Sequence, residues 1–317
     1  MLDNDGSSGG NSMSKRPMAL CATGLLAFAS AASAQPPGIT PEMINTTLPL
    51  EGALLAVPGP YQVTSGPAFG SPGLMVFHPA TLEAFPARDT LPVLVWGNGG
   101  CSINTARYSD FLSTIASHGF LILGTAAQEG QPSRQATADD LRAAIDWAFA
   151  ENARDGSPLR GKVDTNQVAV MGQSCGGFLS LSLGADPRVD TIGMFNSGVQ
   201  PPNPNAPPGR FPTTDAIKNL HGPVLLINGA ERDFLTPASH ATYEAITHVP
   251  AFYGARENAG HTATVFHPGG GEYANVASNW LRWQFKKNAE AAKMFVGDDC
   301  SLCTLPTWDV ESKGFGE

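Results

Sequence analysis

Val168-Ala169-Val170-Met171-Gly172-Gln173-Ser174-Cys175-Gly176-Gly177 carries an apolar, β-branched run through a G-x-S-x-G pentapeptide into Phe178-Leu179-Ser180-Leu181-Ser182-Leu183, whose spacing suits a helix. That order is strand, sharp turn, helix. A serine at such a turn sits on a strained elbow with its hydroxyl exposed, and the flanking glycines let strand and helix pass without a Cβ clash. The pentapeptide alone is a common pattern. The strand before it and the helix after it make Ser174 a candidate nucleophile.

Outward from the elbow the same alternation repeats. Pro92–Trp96, Phe120–Leu123, Thr191–Phe195 and Val224–Ile227 are short apolar runs of strand length, and Ala251–Tyr253 is a weaker one. Between them, Tyr108 to Ser117 reads as a helix ended by Gly119, and Thr137-Ala138-Asp139-Asp140 opens another with acids in its first turn. A last amphipathic helix is expected from about Tyr273 through Trp280, Trp283 and Phe285 towards Phe295. Strands apolar on both faces that alternate with helices predict an α/β fold: a doubly wound, mostly parallel sheet, covered on both sides. Shorter β-like pieces, Tyr61–Thr64 and Leu74–Phe77, precede it in a Pro/Gly-rich stretch. No internal repeat or linker divides the chain, so a single catalytic domain over residues 35–317 is expected. Gln200 to Pro212 is the one strongly biased internal segment, and it reads as a proline-stiffened surface loop or as a lip over a cleft.

Residues 1–34 read as an N-terminal extension and a secretory signal peptide. Lys15-Arg16 precede an apolar, small-residue run from Met18 to Ala32, and Ala32-Ser33-Ala34 offers a cleavage site before Gln35. The run is too short and too alanine-rich for a membrane span. The net charge of −9 argues against nucleic acid or an anionic membrane as the main partner. With Cys21 in the signal, Cys101, Cys175, Cys300 and Cys303 remain. An even number in an exported chain points to disulfides, with three pairings open. A zinc reading of Cys300 and Cys303 lacks a second ligand pair.

Serine hydrolysis needs a base, a carboxylate that orients the base, and two N–H groups for the oxyanion. In doubly wound hydrolases the order is serine, acid, histidine. Downstream of Ser174, the Val224–Ile227 strand ends in Asn228-Gly229-Ala230-Glu231-Arg232-Asp233, in the loop where such sites form. Asp233 is the expected acid, with Glu231 as runner-up. Among seven histidines, His261 stands in a post-strand loop, Asn258-Ala259-Gly260-His261, and is the expected base. His267 is its close competitor, and His240 and His248 are expected to flank a helix as solvated side chains. One oxyanion donor should be the N–H of Cys175, the residue after the nucleophile. The other should come from the Gly97-Asn98-Gly99-Gly100-Cys101 turn after the Pro92–Trp96 strand.

With these residues in view, the chain resembles the α/β-hydrolase superfamily, particularly secreted cutinase-like esterases and polyester hydrolases, with dienelactone hydrolases more distant. The resemblance runs from about Gly59 to His261 and includes Gly59-Pro60-Tyr61, Ala116-Ser117-His118-Gly119-Phe120, the elbow, Asp233 with Pro237, and Gly260-His261. It implies an α/β-hydrolase fold and places the second oxyanion amide on Cys101. If Cys101 and Cys175 both contribute amides, their backbones converge, and Cys101–Cys175 and Cys300–Cys303 become the expected bridges. The alternative leaves Cys101 and Cys175 as free, partly buried thiols. Two features depart from the family pattern. Gln173 and Cys175 stand where an aromatic or histidine and a methionine are usual, and Asn196-Ser197-Gly198 carries no aromatic ring clamp. The combined expectation is a secreted serine carboxylester hydrolase with an acyl-enzyme intermediate, a small-molecule or polymeric ester substrate, an open cleft, and no need of a metal or organic cofactor. An amidase or peptidase using the same residues is the alternative within enzymes, and a non-catalytic binding protein is the alternative outside them.

Overall fold

The computed structural model describes Thr40, Met43, residues 50–199 and residues 212–316. The signal-peptide expectation and nearly all of the Gln200–Pro212 segment fall outside these residues. All of the described residues belong to one compact unit, Gly38–Glu317.

Among the described residues nine strands form one sheet, in the order β1-β2-β4-β3-β5-β6-β7-β8-β9. They are β1 (Val63–Ala68), β2 (Ser71–Pro79), β3 (Pro92–Gly97), β4 (Leu121–Thr125), β5 (Asp164–Gln173), β6 (Thr191–Phe195), β7 (Val224–Asn228), β8 (Ala251–Arg256) and β9 (Trp308–Lys313). From β4 to β8 every neighbouring pair is parallel. The β1–β2, β2–β4 and β8–β9 pairs are antiparallel.

Alternate side chains of a strand point to opposite faces, so a strand covered on both sides is apolar throughout. Val93, Val95, Val168, Val170, Ile192 and Leu226 pack on one face with α2 (Ala138–Ala153) and α3 (Cys175–Ser182). Leu94, Trp96, Met171, Phe195, Ile227 and Phe252 face the other side, towards α1 (Ser109–Ala116) and α5 (Gly271–Lys286). The expected acid-rich start of α2 is a full capping box: Thr137 and Asp140 each bond the other's backbone N–H.

Two readings need correction, and one strand escaped the sequence. The last long helix stops at Lys286 instead of continuing towards Phe295, because Lys287 turns left-handed (φ 52°) and a separate short helix, α6 (Ala289–Ala292), follows. His240 does not flank a helix but sits inside α4 (Thr236–Ala245), with Nε2 2.6 Å from Glu311 of β9. Finally, β9 was not anticipated, since Trp-Asp-Val-Glu-Ser-Lys is an edge strand with four of its six residues charged or polar.

Candidate active site

The elbow, the glycine turn and three further loops all leave the carboxyl ends of parallel strands, where doubly wound sheets gather ligand sites. Ser174 follows β5 with φ 54° and ψ −119°, a conformation disfavoured for any residue with a Cβ. Two bonds hold it: its N–H donates to Phe195 O (2.8 Å), and Ser197 Oγ donates to its carbonyl (2.8 Å). The crossing of α3 over β3 explains one of the glycines, because a Cβ on Gly176 would collide with the Gly97 carbonyl.

Ser174 Oγ lies 2.8 Å from His261 Nε2, and His261 Nδ1 lies 2.8 Å from Asp233 Oδ1. Asp233 is 1% exposed and His261 8%. A buried carboxylate has to be satisfied by donors. Besides the imidazole, Asp233 accepts from Asn196 Nδ2 (2.9 Å) and from the Leu235 N–H (3.1 Å). An Nδ1–H given to Asp233 leaves Nε2 as an acceptor for the serine hydroxyl, so the line can move a proton off Ser174. The His261 N–H is itself tied to Met43 O at 2.8 Å.

The competing residues lie elsewhere. Glu231 is exposed on a short 3-10 turn, Ala230–Arg232. His267 is half-buried, its pKa lowered by burial. His78, His118, His221 and His248 each face a backbone carbonyl.

Over residues 48–301 the chain matches the PETase family, described as PET hydrolase-like. The chain belongs to this family. Among curated proteins, Cutinase 2 of Thermobifida cellulosilytica is 27% identical over 210 residues, which cover 65% of this chain and 69% of that protein. Cutinase cut1 of Thermobifida fusca is likewise 27% identical over 210 residues, covering 65% of this chain and 56% of that protein. The PET hydrolase-like family and these relatives mark the chain as a carboxylic ester hydrolase on an α/β-hydrolase sheet.

Within this PET hydrolase-like fold, both residues beside Ser174 are tied to the glycine turn. Cys175, the first residue of α3, is disulfide-bonded to Cys101, with Cα atoms 5.1 Å apart. Cys300 and Cys303 form the second bridge. Gln173 is buried and uses both ends of its amide: Nε2 donates to His261 O (2.9 Å), and Oε1 accepts from Tyr108 Oη (3.1 Å). Tyr108 Oη in turn accepts the Gly99 N–H at 2.8 Å. That leaves the amides of Gly100 and Cys101 further round the turn.

Three contributors were not anticipated from sequence. Asn196 adopts φ 47° at the end of β6 and turns its amide onto Asp233. Phe234 lies against the His261 ring, centroids 4.2 Å apart. Tyr108 joins the turn to the elbow. Each follows from a loop conformation or a cross-chain approach, and the only sequence trace is a polar or aromatic residue beside a strand end or a residue already singled out.

Proposed function

We propose that the chain is an exported serine carboxylester hydrolase working through an acyl-enzyme. Ser174 attacks the acyl carbonyl while His261 Nε2 takes its proton. Asp233 holds the imidazole in the tautomer that can accept it and stabilises the imidazolium that forms. The backbone N–H groups of Cys175 and Cys101 receive the developing oxyanion. His261 then returns the proton to the leaving alcohol, and a water molecule activated by the same base releases the acid.

The observation that carries this reading is the unbroken line from Ser174 Oγ to His261 to Asp233, with both contacts at 2.8 Å. Export, with cleavage after Ala34 to leave one catalytic domain over residues 35–317, is supported by the two disulfides, since such bonds persist in oxidising compartments. An amino-terminal sequence beginning at Gln35 in the exported protein is the expected result.

Ser174→Ala tests the chemistry on short-chain p-nitrophenyl esters. A fall in kcat of about 10⁴-fold or more is expected, together with loss of fluorophosphonate labelling. Equal hydrolysis by the variant and the parent would overturn the assignment.

A further inference from the structure

The Cys101–Cys175 bridge joins the two residues whose amides are proposed to bind the oxyanion. We propose that this disulfide is a positioning element: it fixes the separation and aim of the two oxyanion donors, and turnover depends on its being closed. The inference rests on the serine-hydrolase reading above.

The packing around the bridge separates this role from simple stapling. The glycine turn and the elbow are already held together without it, because the Gly97 and Gly176 backbones pass so closely that neither position accepts a Cβ. What that contact leaves free is the far side of the turn. Gly100 (φ 63°) and Cys101 (φ 49°) are consecutive left-handed residues, and a residue with a Cβ adopts that conformation only where its surroundings impose it.

Three bonds touch this part of the turn: Ser102 N–H donates to Gly99 O (3.2 Å), Ala136 N–H donates to Cys101 O (2.7 Å), and Gln135 Nε2 donates to Gly100 O (3.3 Å). All three tie the turn to itself or to residues 135–136, so none fixes the Cys101 amide relative to Ser174. The bridge does, because it ties Cys101 to the first residue of α3. The Cys175 N–H belongs to the first turn of that helix and has no intrahelical acceptor.

There is also room for the turn to relax. A cavity of about 440 Å³ borders Cys101, between Gln135, Thr137, Leu179 and Ser182. With the bridge cut, the Cys101 segment can swing towards this space while the Gly97–Gly176 contact and the Ser174–His261–Asp233 line stay in place. The oxyanion donors would then be misaligned with the nucleophile intact. A reduced chain is therefore folded but catalytically weak, and full activity arrives when an external disulfide such as oxidised glutathione takes two electrons and two protons from the Cys101 and Cys175 thiols and leaves as its own thiols.

The test compares the parent with Cys101→Ala/Cys175→Ala, which keeps both amides, and with the folded Cys300→Ser/Cys303→Ser protein before and after phosphine reduction. Thiols are counted by mass spectrometry. Loss of an oxyanion donor costs about 10²–10³ in rate, and a displaced donor retains part of its effect. The expected result is a fall in kcat of about 10- to 100-fold, with KM changed less than about twofold. Affinity for an arylboronate, a tetrahedral adduct on serine, should fall in parallel, and reoxidation with oxidised glutathione after the phosphine is removed should restore the rate.

A lowered melting temperature with kcat unchanged would show a purely structural bridge and overturn the inference. So would a reduced protein that keeps its rate. If the double variant does not fold, the reduction arm decides alone. Failure of the underlying reading shows separately, as activity that survives Ser174→Ala.

Discussion

Gln173 is the residue whose removal tests most directly how the site is held. Its buried amide donates to His261 O and accepts from Tyr108 Oη, so Gln173→Leu strands two groups in the interior at once. Each unsatisfied buried group costs about 1–3 kcal/mol, which gives about 2–6 kcal/mol of lost stability in urea unfolding. Slackening the His261 loop should also lower kcat/KM by about 10- to 100-fold, the penalty of a base misplaced by a fraction of an ångström to an ångström. Tyr108→Phe removes the same Tyr108–Gln173 bond from its other end and also orphans the Gly99 N–H. The double variant removes both ends of that bond together. Its destabilisation should therefore fall short of the sum of the singles by about 1–2 kcal/mol. Burial pushes the Tyr108 hydroxyl up to about 12, so it stays protonated and donating through neutral and mildly alkaline pH. The raised folded value means that this stabilisation is complete below the ordinary tyrosine range near 10 and is lost only as pH climbs through 12. The coupling should thus be the same at about pH 6 and pH 9. Additivity within about 0.5 kcal/mol would refute the network as a unit.

Two further outcomes concern stability. The Arg188 guanidinium holds the Asp186 carboxyl below the usual carboxylate range, against the opposing effect of burial. A depressed folded pKa gives stability that is present above the unfolded value near 4 and lost as pH falls through the folded one, so unfolding free energy should decline below about pH 5, and Asp186→Asn should flatten the decline in an acid titration followed by circular dichroism. Arg256 and Glu272 form an ion pair with both side chains almost fully buried, 2.9 Å apart. Arg256→Met should cost about 3–5 kcal/mol in urea unfolding, and adding Glu272→Gln should recover part of it, because the stranded charge is then gone while an amide oxygen still faces Trp308 Nε1 and the Leu54 N–H.

How far the sequence reaches depends on how local the cause is. β3 through β8 were legible because each is buried on both faces, β5 only from Val168 onward, and therefore reads as a short apolar run. β9 was not, since it pairs only with β8 and four of its six residues are charged or polar. The break at Lys287 also escaped notice: hydrophobic spacing continues through Trp283, Phe285 and Phe295, and only a backbone rotation at one lysine interrupts the helix. Within the site, Ser174, Asp233 and His261 could be named in advance because chain order and position after a strand are sequence properties, and the fold brings these three side chains within hydrogen-bonding reach. The residues that hold them differ in kind. Asn196 reaches Asp233 only through a left-handed turn, and Tyr108 meets Gln173 across 65 positions of chain. Neither contact leaves a periodicity or a motif.

The two departures from the cutinase-like pattern beside Ser174 have one physical explanation. Gln173 and Cys175 flank the elbow, and both reach the same glycine turn. Gln173 does so through Tyr108 Oη to the Gly99 N–H, and Cys175 through its bond to Cys101. A buried glutamine is costly unless both ends of its amide are met, and a cysteine after the nucleophile braces the site only if a second cysteine stands within about 6 Å between Cα atoms. Each unusual residue therefore requires its partner. Histidine at 173 alone would have to satisfy Tyr108 Oη and His261 O from two ring nitrogens, where an amide now faces both. Methionine at 175 alone would leave Cys101 an unpaired thiol on a left-handed residue that has lost its tie to the elbow. Residues 108 and 173, and residues 101 and 175, thus act as pairs, and between them they attach the elbow to the turn on both sides of the serine. In this chain the side chains next to Ser174 are committed to holding the backbone around it.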